Sequence, residues 1–244
     1  MTATQHEKLM VSLQGATGIA WELQRQPKPD ATAGIVTNFA EAFSTKAIKC
    51  LMVGMEREAL ELLAKSNECM TMALDRAAAG EVTEMEYMSH FCHAICRWLI
   101  GPPALAHDLT RAYQLLTNSR EMTLARARVH YDKRSWVLPL WLSASRSAEC
   151  VALYEQSGAK YPPPRRRQHT EAEMAYLLAR ERLHPTLPKP EVTEQLQAFL
   201  RDQVPTFMKY GRYDRFALWV KIATRAEAGA PARAAVREIA DQYA

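Results

Sequence analysis

Val36-Thr-Asn-Phe39-Ala40-Glu-Ala-Phe43-Ser-Thr-Lys-Ala47-Ile-Lys-Cys50-Leu51-Met-Val-Gly54 is the stretch on which the fold turns. Its apolar residues step by three and four, which on a helix of 3.6 residues per turn gathers them into one stripe. The stripe stops at Gly54. Beyond it Ala59, Leu62, Leu63, Ser66, Met70 and Ala73 repeat the same spacing as far as Gly80. Two amphipathic helices joined by so short a turn must lie antiparallel, so this segment is expected to be a helical hairpin.

Working outward, the same signals recur. Thr83 and Glu86 stand at capping-box spacing before Met85, Met88, Cys92, Ile95 and Leu99, and the run stops at Gly101-Pro102-Pro103. Leu105 to Leu116 carries a fourth stripe, and shorter ones follow over Leu124 to Val129, Trp136 to Ala144 and Ser145 to Ser157. Thr170 and Glu173 open another helix, which is expected to end before His184-Pro185. Pro190 starts the next, with Val192, Leu196, Phe199 and Leu200, and Pro205 is expected to end it. Two further helices, around Phe216 to Ala223 and Pro231 to Tyr243, close the sequence. Glycine is scarce and strand-like alternation nearly absent, so the expected fold class is all-α, an array or irregular bundle of about nine to eleven helices in antiparallel hairpins. Three consecutive prolines and three arginines interrupt the pattern at 159–169, which divides the chain into a hairpin-rich part at 1–158 and a helical part at 170–244.

The bulk numbers exclude several classes. The 244 residues are 48% apolar and 24% charged, which suits a folded chain with a core rather than disorder or a disulfide scaffold. The formal net charge of +4 is small for this length, and the positive surplus collects in two windows, Arg120 to Arg134 and Lys160 to His169. The five cysteines fall at helical apolar positions and are expected to be buried free thiols of a reducing compartment. No basic start with an apolar run marks a secretory leader, and the longest apolar run, Trp136 to Leu142, is too short to span a bilayer and contains Pro139. The expected location is cytoplasmic, without a membrane partner.

Motifs for chemistry are sparse. His90-Phe-Cys92-His93-Ala-Ile-Cys96 holds four metal-binding residue types, but a helix splits them: Cys92 and Cys96 follow the apolar stripe, whereas Glu86, His90 and His93 share the polar face. Glu86, His90 and His93 therefore stand as the candidate metal ligands of an enzymatic alternative, although their spacing matches no standard ligand motif. No phosphate-cradling glycine loop and no nucleophile motif is present, so no cofactor is expected. Arg165, Arg166 and Arg167 offer phosphate chemistry and support a second alternative, a nucleic-acid-associated protein, but with Tyr161 as the one ring for base stacking nucleic acid is not the favoured partner. The same arginines, with Arg126, Arg128, Trp136 and Trp141, are the candidate partner-binding residues, since tryptophan rimmed by basic side chains is the chemistry of interface hot spots. Burial in the core is the favoured reading for both tryptophans, and the contact role applies where part of the run is exposed.

Gly54-Met-Glu-Arg-Glu-Ala59-Leu-Glu-Leu62 and Gly211-Arg-Tyr-Asp-Arg-Phe216-Ala217-Leu-Trp219 both resemble the turn and second helix of tetratricopeptide-like hairpins, with glycine at the turn and an apolar residue five positions on. Neither copy completes the tetratricopeptide pattern. In texture the chain also looks like the all-helical immunity proteins that bacteria make against competitors' toxins, which have Ala-Leu-Glu-Leu-Leu hairpins such as Ala59 to Leu63. That resemblance implies a cytoplasmic, non-enzymatic inhibitor that neutralises a toxin by stoichiometric binding. The mildly basic charge departs from the acidic inhibitors of nucleases and implies a toxin with an acidic or apolar face.

Overall fold

The computed structural model describes residues 1–78, 94–101, 138–139, 141–143, 145–156, 171–184 and 189–244, and every regular element among them is helical. The protein is all-α. The elements are α1 (Ala3–Gln14), α2 (Ile19–Gln24), α3 (Ala33–Met52), α4 (Glu56–Ala78), α5 (94–100), α6 (Ser147–Gln156), α7 (Glu171–Leu183), α8 (Lys189–Lys209), α9 (Tyr213–Thr224) and α10 (Ala230–Tyr243). No helix among the described residues is long and apolar enough to cross a membrane.

The α3–α4 hairpin forms as its spacing predicts. Val36, Ala40, Phe43, Ala47, Cys50 and Leu51 are buried on α3 and meet Ala59, Leu62, Leu63, Ser66 and Met70 of α4. Thr32 caps α3, its hydroxyl accepting from the Ile35 N–H. At the turn the Gly54 N–H donates to Leu51 O at 3.2 Å and the Met55 N–H to Cys50 O at 2.8 Å. This pair of bonds satisfies two terminal carbonyls and requires the left-handed φ of +82° that glycine adopts without strain. The α8–α9 turn repeats the closure: Gly211 N–H to Met208 O at 3.2 Å, Arg212 N–H to Phe207 O at 2.8 Å, and φ of +68° at Gly211. The two sequence segments that look alike therefore close their turns alike.

One expectation fails at Pro205. It lies inside α8, which runs on to Lys209. Proline removes one N–H and crowds the carbonyl four residues back, that of Arg201. Both residues lie on the exposed face, where water can take over at the Arg201 carbonyl. The opposite face continues its stripe through Phe199, Leu200, Val204 and Phe207, all buried, and that packing carries the helix past the proline.

Two helices had no forecast. α1 is set by a capping box, in which the Gln5 N–H donates to Thr2 Oγ1 at 3.2 Å and the Thr2 N–H to Gln5 Oε1 at 2.8 Å. α2 follows after a turn at Gly15 to Gly18. One cluster of buried side chains runs from Leu13 to Ala240, with Phe43, Phe207, Phe216 and Trp219 the largest of its fully buried members. The segment 159–169 lies outside the described residues.

Candidate functional site

Residues 15–32 cross the α3–α4 hairpin and are tied to it by basic side chains that donate to backbone carbonyls. Lys46 Nζ reaches Thr17 O at 2.6 Å and Gly18 O at 3.4 Å, Lys65 Nζ reaches Arg25 O at 3.4 Å, and Arg76 Nη2 reaches Pro29 O at 2.8 Å. Beneath this segment Glu22 is buried, and its carboxylate accepts from Arg25 Nη1 at 2.8 Å and Lys46 Nζ at 2.9 Å. A buried carboxylate with two cations recovers in Coulomb attraction and hydrogen bonds much of what desolvation costs. The consequence is positional, because Glu22 is pinned inward and its neighbour Trp21 faces out.

Trp21 is 43% exposed. The Arg25 guanidinium lies 4.6 Å from the Trp21 ring centre and 4.5 Å from that of Phe39, so one cation stacks on two rings. Ile35, one turn before Phe39 on α3, is 47% exposed. Burying such side chains is favourable by about 25 cal/mol per Å², and here the fold leaves Trp21 and Ile35 at the surface and Phe39 half-buried, with the arginine held between the rings. Trp, Arg and aromatic neighbours fixed in place before binding are the composition of an interface anchor.

A second polar cluster is internal. Glu171 at the start of α7 accepts from Trp219 Nε1 at 2.8 Å and pairs with Arg215, both on α9. Burial pushes the Glu171 carboxyl above its ordinary range and pulls Arg215 below its own, each opposed by the attraction of the other. Asp214 is raised by burial as well, and so is Glu41 on α3, which the Asp214 charge raises further. These groups join helices and face no described cavity.

Of the residues singled out from sequence, Glu86, His90, His93, Arg126, Arg128, Trp136, Arg165, Arg166 and Arg167 lie outside the described residues. Trp141 is described and only 7% exposed, packed in the core with Leu138 and Leu142, and Arg146 lies 5.6 Å from its ring centre. A contact role needs an accessible ring, so for Trp141 the burial agrees with the core reading favoured from sequence and leaves the contact reading without support. Cys50, Cys69, Cys96 and Cys150 are free and buried, as expected, and Cys92 falls outside the described residues. Burial pushes the thiols of Cys50 and Cys150 up to about 12 and those of Cys69 and Cys96 up to about 11, which leaves them unreactive near neutrality.

The Trp21, Arg25 and Phe39 anchor escaped the sequence reading because Phe39 belongs to the apolar stripe of α3 and its exposure depends on how a separate segment crosses it. The available signal was Trp21 and Arg25 four apart in a short stretch between Gly18 and Pro27. Compared with protein-family models, curated proteins and solved structures, the chain matches none.

Proposed function

We propose that the protein is a non-enzymatic protein-binding module of the immunity type, which neutralises a toxin by binding it one to one. The observation that carries this reading is the exposed Trp21 beside the half-buried Phe39, with Arg25 stacked between the rings. Such an anchor fits a partner offering an apolar pocket beside carboxylates, the acidic or apolar face that the chain's mild basicity favours. The helical hairpins supply a rigid support, and the basic side chains across residues 15–32 hold the anchor's geometry before the partner arrives.

The test is affinity capture from the native cytoplasm with the wild-type chain and Trp21→Ala side by side, followed by binding measurements on the purified pair. A single protein retained at equal stoichiometry by the wild type is expected, with affinity reduced roughly thirtyfold in Trp21→Ala, about 2 kcal/mol. The variant's melting temperature should stay close to the wild type's, because the ring is already partly solvated. Metal content measured on the same sample separates the enzymatic alternative. One metal ion per chain, lost in His90→Ala and His93→Ala, with no protein captured, would replace this reading.

A further inference from the structure

The last residues of the helical stretch 141–143, the start of α6, the last turn of α7 and the end of α9 meet around a cavity of about 450 Å³. Three hydroxyls, of Ser143, Ser145 and Ser147, and three cations, Arg182, Lys221 and Arg225, line it. Among the described residues its lining includes no carboxylate and no aromatic ring. We propose that this cavity binds a phosphate monoester carried on a small, hydroxyl-rich molecule.

The plainer account is that these cations only satisfy carbonyls at helix ends, and for part of Arg182 that is correct. Its Nη1 donates to Leu142 O at 2.9 Å and its Nη2 to Ile222 O at 3.2 Å, which rivets two helix termini together. A guanidinium has five N–H donors, however, and the Arg182 Nε–H is buried with no acceptor among the described residues. Lys221 goes further. Its ammonium lines the cavity with no hydrogen bond or ion pair among the described residues, and burial alone lowers its proton affinity. A half-buried cation with no counter-charge among the described residues is worse placed than one in open water unless something else supplies the charge. Arg225 pairs at 3.6 Å with Glu181, which is not part of the lining and whose charge also acts on Arg182, so among the described residues Lys221 is the cation of the three that no carboxylate offsets.

The backbone points to the same place. Among the described residues only two that are not glycine have positive φ, Ser145 at 62° and Arg225 at 51°, and both line this cavity. At Ser145 the Ser145 N–H donates to Leu142 O and the Arg146 N–H to Trp141 O, the closure that uses glycine at Gly54 and Gly211. A serine there accepts conformational strain and brings a hydroxyl to the cavity wall. Strain of this kind persists where surrounding structure holds it, often at ligand clamps.

The ligand class follows from the donors. Three cations around a cavity with one carboxylate, Glu181, only behind its described lining leave a positive surplus that suits a dianion, and a phosphate monoester offers three acceptor oxygens to a guanidinium fork, an ammonium and hydroxyls. The volume exceeds that of a bare phosphate and lies in the range of small-molecule sites. With hydroxyls and no ring to stack on, the walls suit a polyol or sugar body rather than a nucleobase.

The test titrates the full chain with inorganic phosphate, glycerol 3-phosphate and a hexose 6-phosphate, against chloride at matched ionic strength and the unphosphorylated polyols. Calorimetry and thermal melting should show saturable binding of each phosphate, tighter for the esters than for the inorganic ion, and none of the polyols. Lys221→Met should fold with undiminished stability yet bind at least about tenfold more weakly, the loss of a charge-assisted hydrogen bond. Ser145→Gly should be more stable and bind a few-fold more weakly. Absence of a saturable phosphate response, or unchanged affinity in Lys221→Met, would overturn the assignment. A phosphoserine peptide binding more tightly than every small ester would overturn the small-molecule class. Trp21→Ala should leave these titrations unchanged, so this site stands or falls apart from the protein-binding surface.

Discussion

Burial holds the Lys221 ammonium down to about 8 from its ordinary 10.5, so the folded chain releases this proton at a lower pH than the unfolded chain does. Below pH 8 the lysine is charged in both states and the folded state bears the full penalty. Between pH 8 and 10.5 the unfolded state binds more protons, so this penalty fades as pH rises. The depressed value corresponds to roughly 3 kcal/mol. Lys221→Met should therefore exceed the wild type in stability by up to that amount at pH 7, and urea melts should show the advantage shrinking through pH 9 to nothing near 10.5. Saturating phosphate should narrow it at pH 7. The buried carboxylates separate in a similar way. Glu171→Gln keeps an acceptor for Trp219 Nε1 but removes the carboxylate charge paired with the buried Arg215, and should lose about 3 kcal/mol. Asp214 is raised by burial despite accepting from its own and the Arg215 backbone N–H, bonds that an amide oxygen retains. The penalty on its charge is present above its folded pKa and absent in acid. Asp214→Asn should then stabilise at pH 7, with the gain disappearing as the pH falls to 4 and below.

At the scale of elements, the glycines divide by what a side chain would meet. A Cβ at Gly211 would touch nothing within 4 Å, so Gly211→Ala should cost only the left-handed backbone, about 1 kcal/mol. At Gly101 the φ is +102° and a Cβ would come within 2.9 Å of the Gly229 Cα, where α5 ends against the start of α10. Gly101→Ala should lower the melting temperature clearly more than Gly211→Ala, and equal effects would refute that close approach. These turns show which parts of the fold were readable. The α3–α4 hairpin was, because one face of each helix is apolar over its length and glycine marks the stop. α1 was not, because Leu13 is its one buried residue and a helix with no stripe has no period to detect; its signal was Thr2 and Gln5 at capping spacing. Pro205 misled because local propensity was outweighed by the burial of Val204 and Phe207. The phosphate cavity was hidden for a different reason. Its residues come from four segments between Leu142 and Ala226, and no spacing along the chain announces them.

At the scale of the molecule, α3 packs on α4, α9, α10 and α1, so the first hairpin and the last helices share one interior. Polar links cross between the same regions. Arg233 on α10 donates from Nε to Glu56 at 2.8 Å and from Nη1 to Leu99 O at 2.9 Å. The Trp98 indole donates to Ala226 O at 2.9 Å, and the Gly229 N–H donates to Trp98 O at 2.8 Å. Removing α9 and α10 would expose the buried face of α3 and leave the Leu99 carbonyl without its guanidinium, while α9 without α3 would expose Phe216, Trp219 and Val220. Neither region retains a closed apolar interior alone, and exposure on that scale exceeds the 5 to 15 kcal/mol by which domains are stable, at about 25 cal/mol per Å². The described helices should therefore unfold together. Urea transitions followed by far-UV circular dichroism and by tryptophan fluorescence should coincide, and fragments 1–156 and 170–244 should each fail to fold when expressed separately. Cys50, Cys69, Cys96 and Cys150 supply an independent probe, since all four are free, buried and protonated near neutrality. In excess thiol reagent they should be modified at one shared rate that follows global unfolding. Early labelling of Cys150 ahead of Cys50, or two resolved urea transitions, would show that α6 and α7 separate from the α3 core before the rest gives way.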